Sequence, residues 1–119
     1  MNDTNTASRP KVPADVAREI ASTIFSQLGG MNRLVAMTGA KNFAFNAKDD
    51  GTVAASFRIG RNAKGVNHVE IVLNGLDLYD VTFRRIHGTK VTVKAETSNA
   101  YGDMLKDLFE SATGMYLTF

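Results

Sequence analysis

Cysteine is absent from all 119 residues, which excludes disulfides, thiolate nucleophiles and Cys-ligated zinc together. Its absence fits a reducing cytoplasm. Histidine is scarce: His68 and His87 stand far apart in the chain, without ligand spacing, so no metal site is expected. No apolar run approaches the roughly 20 residues that span a bilayer, and the polar stretch Met1 to Ala7 lacks the basic and apolar parts of a signal peptide. A soluble, intracellular protein without a membrane partner is the expectation. Net charge is small as well, with 14 Lys and Arg against 12 acids giving +2. With a pI near 9.0, this is only a weak lean toward a polyanionic partner.

Catalytic signatures are lacking too. There is no Gly-x-Ser-x-Gly and no serine with a recognisable base partner. The glycine-flanked run Gly60-Arg61-Asn62-Ala63-Lys64-Gly65 is followed by Val66-Asn67 and a strand pattern, where a phosphate-binding P-loop needs Lys, Ser or Thr and a helix. Neither an enzyme nor a cofactor is expected. The acids Asp49, Asp50 and Asp77 are explained by turn chemistry. Asp80 is the acid to watch, since it lies where the strand pattern changes phase.

What is present is pairing. Setting Lys48 against Thr52 across Asp49-Asp50-Gly51 brings Ala47 to Val53, Phe45 to Ala55 and Phe43 to Phe57. Setting Arg85 against Thr89 across Ile86-His87-Gly88 brings Phe83 to Val91, Val81 to Val93 and Tyr79 to Ala95. Each loop ends in Gly, which takes the left-handed conformation that a three-residue hairpin loop needs there. Asn74-Gly75 signals a third hairpin, but a two-residue turn there leaves Leu78 and Tyr79 out of phase. A β-bulge at Leu78-Tyr79, or a looser turn at 73–76, restores parity.

The spacing predicts strands at about 42–48, 52–59, 66–73, 76–85 and 89–96. Before them, Pro13 and Asp15 open a helix carrying Val16, Ala17, Ile20, Ala21, Ile24 and Leu28, which Gly29-Gly30 stops. The run Met31 to Ala40 reads as a short helical turn closed at Gly39, with a strand as the alternative. After the strands, Ser98 or Asn99 caps a helix expected to bury Tyr101, Met104, Leu105, Leu108, Phe109 and Ala112, with Gly114 ending it. The apolar tail Met115, Tyr116, Leu117 and Phe119 should return to the core, add a strand or meet a second copy.

The expected architecture is α+β. A polar arm over residues 1–12, expected to be disordered, precedes a single domain over 13–119. That domain holds a mostly sequential antiparallel five-stranded sheet, with an N-terminal and a C-terminal helix on one face. Alternate strand residues then populate the other face. They place Arg58, Arg84, Lys90 and Lys94 together, with Arg61 and Lys64 in the adjoining loop, as a basic stripe suited to phosphates. No aromatic residue accompanies them, so base stacking is not expected. Arg33 and Lys41-Asn42 flank the segment 31–40 and read as ordinary surface, with an extension of the basic patch as the alternative.

The run from Leu28 to Phe43, Leu-Gly-Gly-Met-Asn-Arg-Leu-Val-Ala-Met-Thr-Gly-Ala-Lys-Asn-Phe, and the run Leu73 to Asp80, Leu-Asn-Gly-Leu-Asp-Leu-Tyr-Asp, resemble a group of small bacteriophage, prophage and mobile-element proteins. The resemblance covers residues 16–119 and places Met31 as an extra residue after the Gly pair. It implies a phage-borne accessory protein acting in the cytoplasm of a bacterial host, and it brings no catalytic or binding residue with it. The leading expectation is a non-enzymatic protein that binds nucleic acid weakly through a basic sheet face. The alternative is a protein-binding inhibitor of a host or defence enzyme, and the apolar C-terminal segment adds the expectation of a homodimer.

Overall fold

The computed structural model describes residues 10–117. Helix α1 spans Ala14–Gln27 and α2 Met31–Thr38; strands β1 Lys41–Ala47, β2 Val53–Arg58, β3 His68–Leu73, β4 Tyr79–His87 and β5 Lys90–Ala100 follow, and α3 covers Leu105–Thr113. The strands form one antiparallel sheet in sequential order β1-β2-β3-β4-β5, the α+β meander expected. Of the polar arm, residues 1–9 lie outside the described part, as does Phe119 of the tail.

Three cross-strand rows face the helices: Phe57-Val69-Phe83-Ala95, Phe45-Ala55-Ile71-Val81-Thr97 and Ala47-Val53-Leu73-Tyr79-Ala100. Opposed residues share a face, so each row delivers its side chains to one layer. Against that layer α1 packs Ala21, Ile24 and Phe25, with Ala17 also buried, and α3 packs Leu105 and Phe109. Phe57 is the hinge of this core: its ring meets Phe25 at 6.1 Å, Phe43 at 5.6 Å and Phe109 at 6.3 Å. Val16, expected inside, is 39% exposed, because the helix presents its Ala17-Ala21-Ile24-Phe25 stripe instead.

The helical reading of residues 31–40 holds, and the strand alternative does not. Gly39, at φ 69, closes α2 in the left-handed conformation that a side chain would strain. Between β3 and β4 the looser turn holds and no bulge forms at Leu78-Tyr79. Leu73 pairs directly with Tyr79, and the five intervening residues fold on Asn74, whose Oδ1 accepts from Leu76 N and Leu78 N. Its Nδ2 donates to Asp80 Oδ1 and Asn99 Oδ1, which makes Asp80 a structural acceptor at the sheet end.

Four local expectations are corrected. Phe43 does not pair in register with Phe57, because β1 bulges between Lys41 and Ala44 where Asn42 takes φ 58; the two rings nonetheless stack. The β4–β5 loop is two residues, Gly88-Thr89, with His87 opposite Lys90. Gly88 at φ 63 occupies the first turn position, the type II′ geometry that matches strand twist. Phase is recovered by a bulge at Lys94, so Phe83 meets Ala95 and Val81 meets Thr97. The final helix begins at Leu105, after a 3₁₀ turn at Gly102–Met104. Residues 98–100 belong to β5, because Asn99 N donates to Asp80 Oδ1 and Ala100 pairs with Tyr79. Tyr101 and Met104, expected buried, are exposed. The tail returns to the core in part: Leu117 is fully buried and its N–H donates to Glu110 Oε2 at 2.7 Å, whereas Tyr116 is 68% exposed.

Candidate basic site at the loop end of the sheet

A sequential meander sends alternate turns to opposite ends of the sheet, and here those ends differ in charge. Asp49 and Asp50 occupy the β1–β2 turn, and at the same end Asp77 lies in the β3–β4 turn and Asp80 at the start of β4. The opposite end carries the β2–β3 connection with Arg61 and Lys64, the close of β2 with Arg58, and the β4–β5 hairpin. A net charge of only +2 therefore conceals a polarised molecule.

At the basic end, Lys41, Arg58, Arg61 and Arg85 line one cavity of about 380 Å³. Backbone of Gly39, Gly60 and Gly65 completes its wall, and no acidic residue lines it. None of the four cations forms an ion pair among the described residues, whereas Arg84 pairs with Glu70 at 3.0 Å. The glycine at 60 answers to space: a Cβ there would stand 3.1 Å from Thr38 O, and Gly60 N donates to that same carbonyl at 2.8 Å.

Two asparagines hold the walls. Asn62 Nδ2 donates to Gly60 O at 2.9 Å and Val66 O at 2.6 Å, while its Oδ1 accepts from Val66 N at 3.2 Å. Asn67 Nδ2 donates to Ile86 O and its Oδ1 accepts from Ile86 N, both at 2.8 Å. The first pins the loop to itself and the second pins it to β4. The cations are thus mounted on a loop held at Gly60, Val66 and Ile86, which lowers the ordering cost of binding.

The expected six-residue stripe divides. Arg58 and Arg84 share the open face, in the row Lys41-Arg58-His68-Arg84-Val93, but Arg84 is neutralised by Glu70. Arg58 and Arg61 enter the cavity. Lys64 and Lys94 line a neighbouring hollow with Phe83, Leu108 and Ala112, on the helix side. Lys90 pairs with His87 at the hairpin tip. The two-residue turn is the cause: it carries Lys90 to the helix side and Val91 and Val93, both about half exposed, to the open face. The cavities are neighbours all the same, since Arg85 Nη1 lies 3.5 Å and Lys94 Cε 4.0 Å from where a Cβ on Gly65 would stand. Lys41 was legible as a flank; Arg85 was missed, its place in the expected three-residue hairpin offering no sign that it reaches the 60–65 loop.

His87 is exposed at the hairpin tip, whereas His68 is half-buried in the row between Arg58 and Arg84. Its Nδ1 is buried with no hydrogen-bond partner. Burial holds the imidazole below its ordinary value, Arg84 and Arg58 push it the same way, and Glu70 opposes them. The unfolded chain therefore takes up the proton first as pH falls through about 6.5. Stability contributed by the neutral imidazole is complete above that pH and is lost until the folded group itself titrates. In His68→Gln, the fall in urea-unfolding free energy between pH 7.5 and pH 5.5 should be smaller than in the native chain; equal falls would refute this assignment.

No family model matches the chain, and no curated protein or solved structure was found similar to it.

Proposed function

We propose that this chain is a non-enzymatic accessory protein of a phage or mobile element, acting inside the bacterial host, that binds nucleic acid weakly and without sequence preference through the basic end of its sheet. The observation that carries the reading is the cavity ringed by Lys41, Arg58, Arg61 and Arg85, four cations without an acidic neighbour in the lining. Like charges gathered at one end raise the local potential and draw in a polyanion. No aromatic side chain lines the cavity, so base stacking contributes nothing and phosphate contacts supply the affinity.

The test is a titration of labelled single- and double-stranded DNA at low and moderate salt. Four cations can neutralise at most four phosphate charges, so log K should fall with log salt at a slope no steeper than about −3 to −4. Arg58→Ala combined with Arg61→Ala should bring that slope down by about two. Absence of binding at low salt would dispose of the reading, because phosphate contacts are strongest there.

A second reading, a protein-binding inhibitor of a host or defence enzyme, is favoured by a different surface. A hollow of about 560 Å³ between α1 and the edge strand β1 is lined by Phe25, Phe43, Phe45 and Met31, and the latter two are 39% and 45% exposed. Capture of one stoichiometric host protein, abolished by Phe45→Asp, would support it.

A further inference from the structure

We infer that the cavity at the basic end receives a terminal phosphate monoester, so that the protein prefers a phosphorylated end to the interior of a strand. This deepens the nucleic-acid reading and rests on it.

A surface that follows a phosphodiester backbone needs cations spaced along a track, one near each successive phosphate. Here Lys41, Arg58, Arg61 and Arg85 converge on one hollow, and along the open face the track beyond it ends; Lys64 and Lys94 continue it on the helix side, in a hollow shared with Phe83, Leu108 and Ala112. Along the open face the next cation, beyond His68, is Arg84, held by Glu70 at 3.0 Å, and the following row, Ser56-Glu70-Thr82-Glu96, brings two carboxylates. A strand laid across that face would set its phosphates against Glu70 and Glu96.

The chemistry of the lining agrees. Three of the four cations are arginines, whose planar guanidinium forks bind phosphate oxygens in pairs. An internal phosphodiester offers one charge and two free oxygens. A monoester carries about −1.5 to −2 near pH 7 and presents three oxygens, which is the better match to several donors converging from different strands. The size is right as well: about 380 Å³ lies at the small end of ligand sites, room for a phosphate with its sugar. Access follows from the wall, where Gly39 and Gly60 put backbone in place of side chains.

The same group occurs on a free nucleotide, so the experiment must separate the two sources. A short single-stranded DNA is prepared with a 5′-phosphate, with a 3′-phosphate and with hydroxyl ends, and each is titrated at moderate salt. Adenosine monophosphate and inorganic phosphate serve as competitors. One phosphorylated form should bind about tenfold tighter than the hydroxyl form, the value of one or two charge-assisted hydrogen bonds. Arg61→Ala should erase the difference, and Lys41→Gln, on an exposed edge-strand position, repeats the test if the first variant folds poorly.

If the phosphorylated and hydroxyl forms bind equally, the inference is overturned and the nucleic-acid reading stands. If adenosine monophosphate competes as strongly as the phosphorylated strand binds, the cavity is a phosphate-monoester site for a small ligand, and it is the nucleic-acid reading that falls. If nothing binds, both fall.

Discussion

Phe57→Ala is expected to lower the unfolding free energy by about 3–5 kcal/mol, the cost of deleting a large buried side chain and leaving its cavity. Phe57 is 1% exposed, and its ring joins elements that are otherwise distant in the chain. Phe25 comes from α1, Phe43 from β1 and Phe109 from α3. Each aromatic pair adds about 0.5–1.5 kcal/mol beyond the area it buries, so the loss falls toward the upper part of the range. A domain of this size holds about 5–15 kcal/mol in all, which leaves the variant near the edge of folding. Urea unfolding of Phe45→Ala makes the comparison, because Phe45 lies in the same layer but is 39% exposed at the rim. That change should cost about 1 kcal/mol. If the two alanine variants unfold at the same urea concentration, Phe57 is not the joint described here.

The meander is legible in the chain because period-two alternation and three glycine-bearing turns leave few ways to pair the strands. Ala47 with Val53 and Phe45 with Ala55 follow from counting alone. Counting fails where the backbone inserts a residue. The choice between Ile86-His87-Gly88 and Gly88-Thr89 as the hairpin loop depends on whether Gly88 takes the last or the first left-handed position, and both are open to glycine. The wrong choice moves Lys90, Val91, Thr92 and Val93 to the opposite face at one stroke. The bulge at Lys94 then restores Phe83 to Ala95, so the core reads correctly even though the surface does not. Helix α3 was misread for a related reason: Tyr101 and Met104 have helical spacing, but Asn99 is bound by Asp80 and Asn74 and keeps the chain in the sheet until Ala100. The candidate site suffered most, since it is built from loop and hairpin positions whose meeting depends on such local choices. Arg58 and Arg61 were found by charge and proximity in sequence; Arg85 reaches them only through the Asn67–Ile86 hydrogen bonds, for which a single asparagine gives no warning.

Asn62→Ala should weaken both the fold and phosphate binding, whereas Asn74→Ala should weaken the fold alone. Asn62 satisfies Gly60 O, Val66 O and Val66 N, and Val66 is buried at 1% exposure. Truncation leaves those groups short of partners, at a cost of about 2–3 kcal/mol. It also frees the loop that mounts Arg61, so the ordering entropy now charged against binding lowers affinity by about tenfold. Asn74 makes four side-chain hydrogen bonds, to Leu76 N, Leu78 N, Asp80 and Asn99, and its loss costs a similar amount, about 2–3 kcal/mol. It sits at the acidic end of the sheet, beyond the row Val53-Leu73-Tyr79 and opposite the cavity. Thermal melting and DNA titration of the two variants therefore form a matched pair. Equal melting losses with binding reduced only in Asn62→Ala would tie affinity to the geometry of the loop. Equal binding losses in both would mean that affinity follows global stability, and that Asn62 plays no part in holding the cations where a phosphate needs them.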